Sequence, residues 1–143
     1  MNAGIINFYF ENDFALEEHS RHEEWLKEVI ASEGKKLEEV SFIFCDDQYL
    51  LEINQKYLNH DTYTDIISFD SCIGDILQGD IFISTERVKE NALEFNVDFQ
   101  EELRRVMAHG ILHFCGYKDK SEEEKAVMRQ KEEEKMKMFH VEQ

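Results

Sequence analysis

Two histidines four residues apart, His109 and His113, with a glycine directly after the first, constrain this chain more than any other feature. The run from Met107 to Phe114 otherwise reads as a helix, where a four-residue step is one turn plus a small rotation. Both imidazoles then leave the same face about 5–6 Å apart, within reach of a single metal ion. Gly110 sharpens the requirement, because glycine inside a helix costs roughly 1 kcal/mol relative to alanine. Something must approach the helix backbone at that residue. Taken alone, the pair is also compatible with two helix histidines that merely hydrogen-bond within a core.

The familiar helical zinc motif, His-Glu-x-x-His, carries a glutamate that serves as general base. Gly110 occupies that position here, so a peptidase of that type would lack its base on this helix. The run instead resembles His-Gly-x-Leu-His-x-x-Gly-Tyr-x-His, the signature of the rRNA-maturation endoribonuclease (YbeY) family, which His109, Gly110, Leu112, His113, Gly116 and Tyr117 match. The third ligand of that pattern falls on Asp119, a carboxylate in place of an imidazole. Two-histidine, one-carboxylate sets are established hydrolytic metal sites. Thr64-Asp65-Ile66-Ile67-Ser68-Phe69 and Gly79-Asp80-Ile81 resemble two strand segments of the same family, and Glu124 with Met128 fits its last helix.

The resemblance implies a small mixed sheet with helices around it, and one zinc ion held by His109, His113 and Asp119. It further implies a metal-dependent single-strand endoribonuclease acting in rRNA maturation and ribosome quality control, its RNA presented by the ribosome or a ribosomal protein. The chain departs from the family near Leu58, which stands where an arginine usually meets RNA phosphate. Lys56 and His60 flank that position and can substitute only in part, since neither offers a bidentate fork. Tyr63 and Asp70 stand where the family often has proline. Two other readings stay open at this point: a metal-dependent hydrolase of a different substrate such as a peptide, and a non-catalytic ribosome assembly factor with a structural metal.

A chain of 143 residues is one domain by length, spanning 1–143, and large enough to bury a core without disulfides. Cys45, Cys72 and Cys115 are odd in number and form no Cys-x-x-Cys pair, which reads as reduced thiols in a cytoplasmic protein. The first ten residues have no basic leader, and no apolar run approaches a membrane span, so no membrane partner is expected. The net charge of -16 opposes general attraction to nucleic acid and gives no reason to expect DNA as a partner. The acid is concentrated, however, with Glu122, Glu123, Glu124, Glu132, Glu133 and Glu134 on the last helix. Arg104, Arg105, Lys118 and Lys120 flank the metal candidates and predict a local basic rim, with Arg105 and Lys120 as its RNA contacts.

Periodicity predicts a strand at Ile5–Phe10, a helix from Phe14 to Ser32, a strand at Val40–Cys45 and a helix from Asp46 or Asp47 to about Leu58. Brief strands follow at Ile66–Phe69 and Ile81–Ile83, joined by a turn-rich link containing Gly74 and Gly79. Ser84 or Thr85 opens a helix to about Phe95, Asp98 with Glu101 forms a capping box for the histidine helix, and Ser121 with Glu124 forms another for the last. The predicted class is α/β (α+β): a single domain with a small mixed β-sheet of about four strands and about five helices, the metal site on a helix and the loop after it. Cys115 is a competing ligand by chemistry but points away from His113 by helical rotation. His140 reads as a solvated terminal residue and Asp65 and Asp80 as strand-entry residues supporting the cleft, while an ion pair with Glu101 is the ordinary alternative for Arg105.

Overall fold

In a computed structural model, residues 4–58 and 64–141 are described. The order of elements is β1 (Ile5–Phe10), α1 (His19–Ser32), β2 (Lys36–Cys45), α2 (Asp47–Leu58), β3 (Ile66–Asp70), β4 (Ile76–Ser84), α3 (Thr85–Phe95), α4 (Phe99–Phe114) and α5 (Glu122–Val141). The sheet runs β1-β2-β4-β3, with β1, β2 and β4 parallel and β3 antiparallel at the edge. This is the expected mixed sheet of four strands with five helices.

A parallel strand covered on both faces needs apolar side chains in both directions, and β2 supplies them: Val40 to Cys45 are all buried. Phe42 and Phe44 point into the main core with Ile81 and Ile83 of β4, against Trp25, Leu26 and Ile30 of α1 and Leu103, Met107 and Ile111 of α4. A smaller cluster of Cys45, Leu50 and Ile67, extended by Ile53, Phe69 and Phe82, seats α2 on the other side. The period-2 alternation of strand side chains thus divides the chain into two layers of helix around one sheet.

Element boundaries differ from expectation where polar residues carry structure. The first helix begins at His19, five residues later than Phe14. Asn12 accepts from the Phe14 N–H at 3.1 Å and diverts the chain into a turn, while Leu16 packs into the core from irregular backbone. β2 and β4 start at Lys36 and Ile76, because the parallel ladder runs on past Glu38 and Glu39 of β2 and past Gln78, Gly79 and Asp80 of β4, which interrupt the apolar pattern. Gly79 consequently lies inside β4 rather than in the link. Asp98 caps α4 through the Gln100 N–H at 3.2 Å, while Ser121 and Glu124 form the full reciprocal box, each accepting from the other's N–H at 3.0 Å.

Gly110 finds its reason in this packing. A Cβ added there would stand 3.0 Å from Ile81 Cδ1 and 3.1 Å from Ile66 Cδ1. The element that approaches the helix backbone is the sheet, and the missing side chain lets α4 lie directly on β3 and β4. That close approach brings His109 and His113 beside the edge strand.

Candidate metal centre

α4 presents His109 and His113 with ring centroids 4.6 Å apart. Gly116, at φ 107, ends the helix in a conformation that side-chain-bearing residues rarely adopt and turns the chain back. The following loop is tied at both ends. Tyr117 donates its N–H to the Leu112 carbonyl and its hydroxyl to Glu33, while Lys120 and Ser121 donate backbone N–H groups to Glu124. Between these anchors, Asp119 places Oδ2 at 3.3 Å from His109 Nε2 and 3.5 Å from His113 Nε2. One ligand atom from each of the three residues lies within 4.8 Å of the others.

Beneath His109 lies a buried carboxylate that sequence reasoning counted only as part of an acidic helix. Glu132 of α5 is 2 % exposed and accepts from His109 Nδ1 at 2.6 Å. Arg105 donates to its other oxygen at 3.0 Å and also to Glu102, which is itself buried. Burial alone would push the Glu132 carboxyl up, but the His109 bond and the Arg105 charge outweigh it and hold it below its ordinary value. The same two carboxylates overcome desolvation of Arg105 and raise the guanidinium further. The only signal for Glu132 in the sequence is its place on the Met128 face of α5, one turn on.

The donor chemistry fits a cation. An ionised carboxylate can only accept, so Glu132 fixes the proton of His109 on Nδ1 and leaves a lone pair on Nε2. That lone pair faces the Asp119 carboxylate, and two acceptors at 3.3 Å repel unless a positive centre lies between them. Tetrahedral zinc with bonds of about 2.0–2.1 Å requires donors roughly 3.3 Å apart, which the Asp119 contacts nearly meet.

The group of His109, His113 and Asp119 opens into a cavity of about 750 Å³ walled by α4, the Ile66, Ser68 and Asp70 row of β3, Leu58 and Lys120. Asp65 lines it too, accepting from Asn91 at 3.2 Å, and its desolvation raises its carboxyl. Asp80 is exposed and outside the lining. Of the expected basic rim, Lys120 stands exposed at the cavity, whereas Arg104 packs over the Phe139 ring at 4.3 Å and Lys118 lines a separate groove. Arg105 lines the cavity with its guanidinium engaged by Glu102 and Glu132, not by Glu101. Lys56 is exposed, its ammonium 5.4 Å from the Tyr57 ring, and does not line the cavity. His60, the Tyr63 position and the side chain of His140 lie outside the described residues. Cys115 packs against the main core, where burial pushes its thiol up to about 12, so it is protonated and stands outside the ligand group.

Comparison with known proteins gives the same outline. The family model described as Endoribonuclease YbeY matches residues 9–140. An Endoribonuclease YbeY of Christiangramia forsetii is 61% identical over 143 residues, covering 100% of both chains. One of Flavobacterium psychrophilum is 58% identical over 139 residues, covering 97% of this chain and 99% of the relative. The solution structure of a Thermotoga maritima protein, TM1509, superposes with a TM-score of 0.69 at 28% identity, covering 94% of this chain and 88% of that one. The match takes in the sheet, the histidine helix, the Asp119 loop and the Glu132 helix together, and the chain belongs to the Endoribonuclease YbeY family.

Proposed function

We propose that this chain is a zinc-dependent single-strand endoribonuclease of rRNA maturation, working in the cytoplasm on RNA presented by the ribosome or a ribosomal protein. RNA cleavage follows from family membership. The observation that carries the metal dependence is the convergence of two imidazole nitrogens and a carboxylate oxygen over a histidine whose tautomer is set by Glu132. His109, His113 and Asp119 would hold the ion, which supplies Lewis acidity at a phosphoryl oxygen and lowers the pKa of water.

The chain's own groups do the rest. Glu132 keeps the His109 proton on Nδ1 and orients the ring, and Arg105 keeps Glu132 ionised and in place. Arg105 is therefore a positioning residue, and Lys120, exposed at the cavity, is among the described residues the cation placed to meet phosphate there. Leu58 offers an apolar wall where the family usually has arginine, which lowers the affinity for bare RNA and favours a substrate delivered by a partner. Among the described residues no helix is long and apolar enough to cross a membrane.

The test is cleavage of a single-stranded rRNA fragment by purified protein, with and without zinc after chelation. Zinc-restored cleavage that is lost in His109→Ala supports the reading. Cleavage that persists in the chelated protein refutes metal dependence. Leu58→Arg should tighten RNA binding, and a loss of binding would mean that this position does not face RNA.

A further inference from the structure

His109 and Asp119 do not sit at the end of a blind pocket. Together with Arg105 they line a second groove of about 230 Å³, whose remaining wall is the α5 face carrying Lys125, Met128, Arg129 and Glu132. The metal group thus forms a ridge between two openings, with β3, Leu58 and Lys120 on one side and α5 on the other. A site that cleaves an internal phosphodiester must let the chain leave in both directions, whereas a one-sided pocket suits a terminal nucleotide.

Resting on the endoribonuclease reading, we propose that Lys125 and Arg129 form an RNA phosphate subsite in the second groove, binding the strand beyond the cleaved bond. The two are four residues apart on α5 and therefore share one helix face. Their side chains are 58% and 57% exposed. Their carboxylate contacts are long, 3.9 Å from Lys125 to Glu122 and 4.0 Å from Arg129 to Glu132, beyond hydrogen-bond distance. Glu132 already serves His109 and Arg105 with both oxygens, so it holds Arg129 only loosely. In a helix that opens with Glu122, Glu123 and Glu124, the two cations that do occur before Lys131 are the two that face the metal group. That gives a strongly acidic protein a local attraction for a polyanion at the point where one must pass.

The experiment measures binding of a fluorescein-labelled single-stranded RNA of about 20 nucleotides by anisotropy across a salt series. The zinc-loaded protein is used, RNA integrity is checked on a gel, and turnover of a dinucleotide is followed in parallel. Single strands lose about 0.7 in log–log salt slope for each phosphate contact removed. Lys125→Ala with Arg129→Ala should therefore lower the slope by about 1.4, so that the advantage of the unaltered protein shrinks about sevenfold between about 50 and about 200 mM salt. Dinucleotide turnover should stay within about twofold, because a dinucleotide does not reach past the ridge. A charge-matched pair of substitutions at exposed lysines elsewhere, Lys36→Ala with Lys89→Ala, should behave as the unaltered protein does. An unchanged slope in the groove variant overturns the subsite, as does an equal fall in the charge-matched control, which would trace the effect to net charge alone. If the unaltered protein neither binds nor cleaves the longer RNA, the function itself fails, and the two failures are distinct.

Discussion

Glu132→Gln isolates the role of the buried carboxylate behind His109. In the native arrangement both Glu132 oxygens receive donors, His109 Nδ1–H at 2.6 Å and the Arg105 guanidinium at 3.0 Å. A glutamine keeps the shape but turns one acceptor into a donor, and no amide rotamer can satisfy both neighbours. Arg105 is always charged, so the amide oxygen turns to it and the NH2 group faces His109. The imidazole then moves its proton to Nε2, the atom that faces Asp119, and loses the lone pair a metal needs. Removing such a supporting partner costs about 10–100-fold in metal affinity, or about 1.4–2.7 kcal/mol.

The consequence can be read without an activity assay. At free zinc of about 100 times the native Kd, binding adds about 2.7 kcal/mol to unfolding stability. At the same zinc concentration, a variant weakened by the same range gains only about 0.4–1.4 kcal/mol. Urea unfolding of both proteins, with zinc and with chelator, measures the two increments separately from any change in the metal-free fold. Equal increments in Glu132→Gln and the unaltered protein would refute the claim that Glu132 sets the metal-binding tautomer of His109.

The remaining predictions concern the ligands, the helix packing and pH. His109→Ala and His113→Ala should each lose bound zinc by elemental analysis after gel filtration, and Asp119→Ala should weaken zinc binding while Asp119→His retains it; metal content equal to that of the unaltered protein in all of them would remove the site. Gly110→Ala should destabilise by about 1 kcal/mol in urea, as overpacking against Ile81 and Ile66 at 3.0–3.1 Å outweighs the helix-propensity gain. In an Ile81→Val background, which removes the Ile81 Cδ1 atom but leaves Ile66 Cδ1 at 3.1 Å and the branched methyl at 3.2 Å, that cost should shrink without vanishing. His22 is buried, with Nδ1 hydrogen-bonded to the Glu18 carbonyl and Nε2 unpartnered, and desolvation lowers its pKa below 6.5. The unfolded chain then binds a proton that the native chain refuses, so stability falls as pH drops below about 6.5 and is flat above it. His22→Phe should lessen that fall in urea unfolding at pH 5 relative to pH 7, and an identical pH dependence would show that His22 does not contribute to it.

Much of the site was legible in the residues because its parts lie close along the chain. A four-residue spacing on a helix puts His109 and His113 on one face in any fold that keeps the helix, and Gly116 followed by a three-residue loop makes the return of Asp119 a local event. Gly110 likewise announced a close approach, since a mid-helix glycine needs one. The strands at Ile5–Phe10 and Ile66–Asp70 were visible for a similar reason, each being a short apolar-rich run within one stretch of chain.

Tertiary structure decided what distant segments do to one another. Glu132 reads as one more acid on a charged helix until α5 packs on α4, and only then does it become the buried acceptor of His109 and Arg105. Arg105, one turn before His109, looks like a phosphate contact in sequence, yet two buried carboxylates from different helices claim its donors. Arg104, its neighbour, is turned away onto the Phe139 ring. The early parts of β2 and β4, where Glu38, Glu39, Gln78 and Asp80 break the apolar pattern, are strands because each supplies the other's ladder. Local spacing determines which groups can share a helix face, whereas the burial and partnering of a charge depend on what packs against that face, and that is a property of the assembled fold.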